Sequence, residues 1–575
     1  MPRRPQPKSK KPDTVPWWLH PLVLVLSAVC LLGWFSPEIS DSDFWWHLKT
    51  GQYITAQHTL PAPDPFAYTT ALAKTAYAAE PRTRQFNLTH EWLAQVLMYS
   101  VYRLGGFSAI VLARAGALAG FCALGGLAAY RRRGNFSAAV AAAFGAGSIA
   151  SIFTTDRPYQ VTFLLLALTL ALLELRRWLW LLPPLFLVWA NCHGGYFLGW
   201  VVLGAYSAEA LVHWLQKRPD PGSRQLWLVT GICLLVCGIN PNGFRIFQVL
   251  LDYRGSFLQG RLLEWAQPRL WPPQAFSILL MASGLAMLWA RRQVRLADWL
   301  LYAAFTLAAL TAQRNIILIA LVAPLYLVSY LPWNLRIPVW GEFAVLLLVA
   351  AGLATGIALA NFFQLRVAEW RYPAGAADFL LANRITQPMF NTYEYGGYLM
   401  WRLWPQERVF IDGRALSESV FMDYARILYN HDESDGGKTA DQLLDQYGVQ
   451  IIVMNSFEYT TGPIYLLAPS LADPKQTAWK LVYHDPQALV FMRNPPPQIQ
   501  PLDSLQVLSH MEEECSLHLE HEPQYPRCAR GLGQVFSKVG DFARARRWIG
   551  EYLSHPHGPD PEAEQAYQNL INVHH

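Results

Sequence analysis

Charge is what this chain has least of. Asp, Glu, Lys and Arg make up 15% of its 575 residues, against 53% hydrophobic residues, where ordinary soluble domains carry about 25% charged residues. The seven cysteines include no CxxC pair and no finger-like spacing, which excludes a structural zinc module. Gly396-Gly397 lacks the GxGxxG spacing of a dinucleotide fingerprint. No small-x-small cleavage site follows the first apolar run before Asp41, so that run reads as a retained span rather than a signal peptide.

What the chain does have is apolar length. Apolar stretches fall at about 18–36, 107–130, 136–154, 160–175, 178–191, 195–214, 225–240, 275–290, 298–313, 315–332 and 341–361. A helix needs roughly 20 residues to cross a bilayer, and the fourth, fifth, seventh and ninth stretches are short. Trp (23), Tyr (26) and Phe (28) are abundant, as interfacial anchors require. The fold class expected is a polytopic α-helical membrane protein of about eleven spans.

Orientation follows from basic residues. Arg3, Arg4, Lys8, Lys10 and Lys11 precede span one; Arg131–Arg133, Arg176-Arg177, Lys217-Arg218-Arg224, Arg291-Arg292-Arg295 and Arg336 follow the even-numbered spans. All fall on one side, which the positive-inside rule makes cytoplasmic. The other side, and everything after residue 361, is then extracytoplasmic. The net charge of +5 is accounted for by this asymmetry, and no nucleic-acid partner is expected.

Four parts result: a cytoplasmic basic tail (1–16), a transmembrane domain (17–361) with a large external loop (37–106), an exported α/β domain (362–497), and an exported helical segment (498–575). Within the loop, Leu60-Pro61-Ala62-Pro63-Asp64-Pro65 cannot be helical. Residues 91–104 have helical apolar spacing but only span-deficient length, so they predict a helix lying in the interface; 244–271 is a second such segment. In the α/β domain, 389–391, 409–411, 451–454 and 489–491 read as buried strands, separated by helices at 375–383, 395–403, 417–430 and 439–447. The tail is helical over 503–572, with the small/large spacing and mid-turn Gly540-Asp541 of a tetratricopeptide hairpin, and must lean on another surface. Cys515 and Cys528 are spaced to clip two short helices, in a compartment that permits disulfides.

Polar residues chosen for chemistry gather at one end of the spans. They include Asp41 and Asp43, His90 and Glu91, Asp156 and Arg157, Asn191 and His193, Asn240 and Asn242, and Arg314 and Asn315. Such groups are costly near lipid unless they line a wet, enclosed cavity. Asp41 and Asp43 can share a divalent cation, or Asp43 can serve as general base; alternatively Asp41 caps a short helix. The adjoining Trp45, Trp46 and His47 can stack on a sugar or seat the loop in headgroups. Glu91 opens the interfacial helix, where the helix dipole alone would favour it. Lys49, Arg157 and Arg314 are external cations. Arginine's fork suits phosphate, although snorkelling to the interface also explains it. His193 and the asparagine turns line the same cavity or simply satisfy turn backbone. Asn391–Arg402 and Phe410–Arg414 stand at strand ends, where α/β sheets place ligands. Asn87-Leu88-Thr89 is a weak glycosylation match.

The pattern resembles the GT-C superfamily of membrane glycosyltransferases, which includes protein O-mannosyltransferases, aminoarabinose transferases and oligosaccharyltransferase catalytic subunits. It more closely resembles a bacterial polytopic group carrying the motifs found here at Asp43–Gly51, Asp64–Thr69, His90–Leu93 and Gly396–Arg402. The similarity covers about residues 15–495. The His-Pro-Pro sequence of protein mannosyltransferases has no counterpart, since Trp92 and Leu93 follow His90-Glu91. The resemblance implies catalytic Asp43 and Glu91, with substrate binding by Asp41, His47, His90, Arg157, His193 and Arg314. It implies inverting transfer of a sugar from a polyprenyl-phosphate donor to a protein or glycan acceptor outside a bacterial inner membrane. The competing readings are a non-enzymatic assembly or scaffold subunit and a polysaccharide ligase or polymerase.

Overall fold

The computed structural model describes residues 15–252, 265–331, 339–431, 436–459 and 461–572, the side chain of Leu250 excepted. The N-terminal basic cluster, Arg336 and residues 253–264 of the second interfacial segment lie outside the described residues. The chain forms two compact units, residues 1–39 with 89–367, and residues 40–88 with 368–575.

The first unit is a bundle of apolar helices. Each of the eleven apolar stretches contains a helix: Leu19–Trp34, the C-terminal part of Trp92–Arg133, Phe136–Ala150, Tyr159–Leu175, Leu182–Cys192, Phe197–Leu215, Ser223–Val236, Ala275–Trp289, Leu296–Thr311, Ile317–Tyr330 and Val339–Ala358. By length and apolar composition, four helical stretches among the described residues suffice to cross a membrane: Glu80–Arg133, Phe136–Phe153, Gly194–Leu215 and Val339–Ala358. Seven more are shorter apolar helices of 10–17 residues. Trp92–Arg133 breaks at Gly105 and Gly106, and Gly106 has φ 62°, a left-handed conformation that glycine adopts without Cβ strain. The break separates 92–104 from the apolar helix that follows, at the boundary expected from sequence.

Buried charge pins this bundle. Arg132 is held by Glu174 (2.7 and 2.9 Å) and by Asp298 (two bonds of 2.8 Å). Arg295 meets Glu174 at 2.9 Å and Glu209 at 3.3 Å. Tyr206 and Tyr330 donate to Glu174 and Asp298. Five helices are thereby tied. Arg132 and Arg295, counted above among the basic clusters, are compensated charges. Elsewhere Arg114 pairs with Asp156 and donates to the carbonyls of Phe35 and Pro37. Both charges are almost fully buried, so removing either partner would strand the other.

The second unit centres on a four-stranded sheet of order β1-β2-β4-β3, with β1 Met389–Asn391, β2 Ile451–Met454, β3 Lys480–His484 and β4 Leu489–Met492. The β1–β2 pair is parallel and the other two are antiparallel. The expected helices form as Ala374–Ala382, Tyr393–Leu403, Glu418–Leu428 and Ala440–Gln446.

Two expectations need correction. Residues 409–411 are not a strand of the sheet ladder. The buried Asn391 side chain takes Phe410 N–H and donates to Ile411 O, while Val409 pairs with the 66–68 segment (Val409 N to Phe66 O 3.1 Å, Tyr68 N to Val409 O 3.2 Å). The edge strand β3 was not expected, because its burial pattern is half exposed and Lys480, Tyr483 and His484 mask the apolar signal.

Residues 40–88, which the sequence division placed with the membrane domain, pack within this second unit. They contribute the Asp43–Gln57 helix, which lies on the Tyr393–Leu403 helix. In the tail, Gln506–His521 joins the sheet loops through buried Glu514, which accepts from Ser456 N–H at 2.8 Å, and His510, which contacts Asp485 O at 2.7 Å. Cys515 and Cys528 are bonded. The hairpin Arg527–Val539 and Phe542–Ser554 turns at Gly540 (φ 83°).

Candidate functional site

In the second unit the site grows from the first turn of the Asp43–Gln57 helix. Asp41 Oδ1 accepts the backbone N–H of Asp43, the first residue of the helix, at 3.2 Å, satisfying one of its unpaired amides although the N-cap position, Ser42, makes no side-chain cap bond, and Tyr372 donates to the Asp41 carbonyl. Asp43, with 9% exposure, heads the helix, where the dipole favours a carboxylate. His47 and Trp46 are buried against each other. Trp45 packs edge-on to Tyr372 and Tyr398, so it is a core residue rather than an interfacial belt.

Lys49 departs from its expected role. It is buried, donating to the carbonyls of Trp401 (3.3 Å) and Trp404 (3.2 Å) at the end of the Tyr393–Leu403 helix. Burial pulls its pKa down to about 8. It closes a helix C-terminus and is not a free external cation.

The sequence motifs meet here. A Cβ on Gly397 would come within 2.7 Å of Ser42 O, and one on Gly396 would strike the Ile411 carbonyl. The glycine pair therefore lets the two helices and the Phe410–Arg414 loop approach closely. Arg414 holds Asp412 and, through two bonds of 2.9 and 3.3 Å, Asp64. Asp64 also accepts the N–H groups of Phe66 and Ala67 and the hydroxyl of Thr70. The charges are nearly fully buried. Sequence reading quoted Asp64 only within a motif; its isolation among prolines was the available signal.

In the first unit a separate polar group forms. The helix starts at Trp92, and Glu91 is the residue before it, making no side-chain cap bond; its carboxylate is thus not explained by capping. Glu91 Oε1 instead faces His90 Nε2 (3.3 Å) and His193 Nε2 (3.7 Å). The other nitrogen of His193 is fixed by Thr162 Oγ1 (2.8 Å) and Gly195 N–H (3.0 Å), and Thr162 takes the indole N–H of Trp189. Trp92 donates to Asn191 Oδ1 at 2.9 Å. Arg314 bears electrostatically on His193 and lies over the Trp265 ring at 4.4 Å.

Arg157 sits in the turn beside Asp156, whose charge Arg114 takes. Asn240 and Asn242 close their own turn, and Asn242 also meets Thr89. An apolar cleft of about 630 Å³, lined by Cys30, Trp34, Val140, Phe144, Val349 and Phe362, opens among the helices. No cluster of three or more metal-type ligands occurs among the described residues, so the Asp41/Asp43 pair has no third ligand of that kind.

No protein-family model and no curated protein sequence matches this chain. Among solved structures it is similar to the archaeal oligosaccharyltransferase AglB from Archaeoglobus fulgidus, solved with an inhibitory peptide and a dolichol-phosphate. The TM-score is 0.53 at 10% identity, over 94% of this chain and 86% of that one. A weaker likeness is to ArnT from Cupriavidus metallidurans in the apo state, with a TM-score of 0.44 at 15% identity over 84% of this chain and 99% of that one. The AglB likeness shows a shared fold. The four helical stretches among the described residues that are long and apolar enough to cross a membrane support an integral membrane protein.

Proposed function

We propose that this protein transfers a sugar from a polyprenyl-phosphate donor to a hydroxyl-bearing protein or glycan acceptor on the extracytoplasmic face of a bacterial inner membrane. The observation that carries the reading is the likeness of fold, over 94% of the chain, to an oligosaccharyltransferase solved with a dolichol-phosphate. A fold can host unrelated activities, so the residues must bear the rest of the argument.

Asp43 is the general base. It takes the proton of the acceptor hydroxyl while the oxygen forms a bond to the anomeric carbon. The bond from that carbon to the phosphate oxygen breaks, and its electron pair leaves with the polyprenyl phosphate. One displacement inverts the anomeric centre. Arg314 and Arg157 bind the phosphate, and Glu91 with His90 and His193 forms the second acidic position. Asp41, whose carboxylate holds the first amide of the helix that carries Asp43, and His47, one turn further along it, bind the substrate. The apolar cleft suits a prenyl chain. The topology is eleven spans with the N-terminus cytoplasmic and both exported segments outside, where the tetratricopeptide-like tail gathers acceptor or partner.

The test is transfer itself. Full-length protein in nanodiscs is given polyprenyl-phosphate donors labelled in the sugar (mannosyl, arabinosyl and glucosyl), with extracytoplasmic protein and glycan fractions as acceptors. Label moving to an acceptor supports the reading. No transfer from any donor favours the scaffold reading.

A further inference from the structure

Gly413 is the residue that the carboxylate of Asp43 rests on. A Cβ at 413 would fall on Asp43 Oδ1, and the next nearest group is the indole nitrogen of Trp46, at 3.2 Å. That nitrogen is buried and has no hydrogen-bond partner among the described residues, in a side chain only 8% exposed. A buried indole N–H left without an acceptor costs stability, and such an atom marks a place where a ligand or water completes the bonding. Here the indole nitrogen and a carboxylate oxygen of Asp43 both lie against the Gly413 backbone, at the position a Cβ would take.

A carboxylate accepts and an indole N–H donates. An O–H group satisfies both at once, giving its proton toward Asp43 and taking the Trp46 N–H on its oxygen, and the acceptor hydroxyl takes the place that water fills without it. We infer that Asp43, Trp46 and Gly413 form the subsite for the acceptor hydroxyl, with Gly413 as a positioning residue that keeps the carboxylate in place. This rests on the transfer reading above. The loop is fixed independently of any ligand. Arg414, gripped by Asp412 and Asp64, anchors the residue after Gly413, and Tyr393 donates to the Gly413 carbonyl at 2.8 Å. A methyl group at 413 would meet the movable end of the Asp43 side chain rather than backbone, so the carboxylate shifts while the fold stands.

Two measurements on full-length protein in nanodiscs test this. In the first, tryptophan labelled with ¹⁵N in the indole reports the Trp46 N–H, assigned by its loss in Trp46→Phe. Methyl α-mannopyranoside, as hydroxyl probe, should move that resonance in the unmodified protein and not in Asp43→Ala. An unmoved Trp46 resonance overturns the subsite whether or not transfer is found. In the second, with the mannosyl, arabinosyl and glucosyl donors, Gly413→Ala should lower kcat about 100-fold, the scale of a 1 Å misplacement, and displace the acid limb of the pH profile. Trp46→Phe adds no atoms. It should raise the KM for acceptor about 10-fold, as loss of one hydrogen bond implies, and leave donor KM unchanged. Normal kinetics in both variants, with Asp43→Asn inactive, overturns this inference and leaves the transfer reading standing. Absence of transfer by the unmodified protein removes that reading, and the resonance experiment then decides the hydroxyl site alone.

Discussion

Asp64 and Arg414 stand 350 residues apart and meet as a two-toothed ion pair, with Nη1 2.9 Å from Oδ1 and Nη2 3.3 Å from Oδ2. The bond ties the loop after the first apolar helix to the α/β domain of the same compact unit. Removing Arg414 strands two buried carboxylates, Asp64 and Asp412, which typically costs about 3–5 kcal/mol, whereas removing Asp64 leaves Arg414 paired with Asp412 and costs less. Asp64→Ala and Arg414→Ala should each lower the unfolding temperature of the full chain and expose the second unit to protease. A variant as stable and as resistant as the unmodified protein would contradict this.

No local pattern in the sequence announces that pair, 350 residues apart. The helices were legible because apolar residues recur at helical spacing, and three strands because they are short apolar runs between turns. Residues 409–411 read as a strand of the sheet and are not one, because Asn391 meets Phe410 and Ile411 with its side chain and the 66–68 segment bridges Val409 with its backbone. The acidic positions Asp43 and Glu91 were visible as isolated charges beside apolar runs. That Lys49 closes a helix end, that Arg114 takes the charge of Asp156, and that Gly413 lies against Asp43 depend on contacts between distant segments that no local pattern encodes. Asp298, Glu174 and Glu209, charged and set within apolar helices, were a signal in the sequence for the buried network.

Glu394 gives the second unit a pH dependence. Burial lifts its carboxyl to about 7, against an ordinary value of 4.5; Glu458 adds to the rise, and the Tyr465 hydroxyl and Arg371 oppose it. The folded state therefore holds a proton that the unfolded chain releases between about pH 4.5 and 7, so stability falls as pH rises through that window. Glu407 shifts in the same direction. Glu394→Gln should flatten part of the slope in thermal melts recorded from pH 4.5 to 7.5; an unchanged slope would contradict the assignment.

Cys515 and Cys528 join the Gln506–His521 helix to the following hairpin. Unreduced protein should show the bridged peptide by mass spectrometry. Replacing both residues by serine should destabilise the tail by about 2–4 kcal/mol, read as faster proteolysis after residue 500. Two free thiols in protein purified under oxidising conditions would contradict the pairing.

Topology is read from the basic clusters. Reporters fused at residues 134 and 220 should be active only as cytoplasmic reporters, and one at 365 only as an exported reporter. An exported signal at 134 or 220 would reverse the orientation and move the acidic residues to the wrong side for the proposed donor.

The central claim is that Asp43 removes the acceptor's proton. Asp43→Asn keeps the shape of the side chain and takes away the base, whose loss typically costs about 100- to 10,000-fold. Rates of labelled sugar transfer from polyprenyl phosphate to acceptor should fall by that factor in Asp43→Asn, with donor binding and thermal stability unchanged. Transfer by Asp43→Asn at close to the unmodified rate would contradict the account.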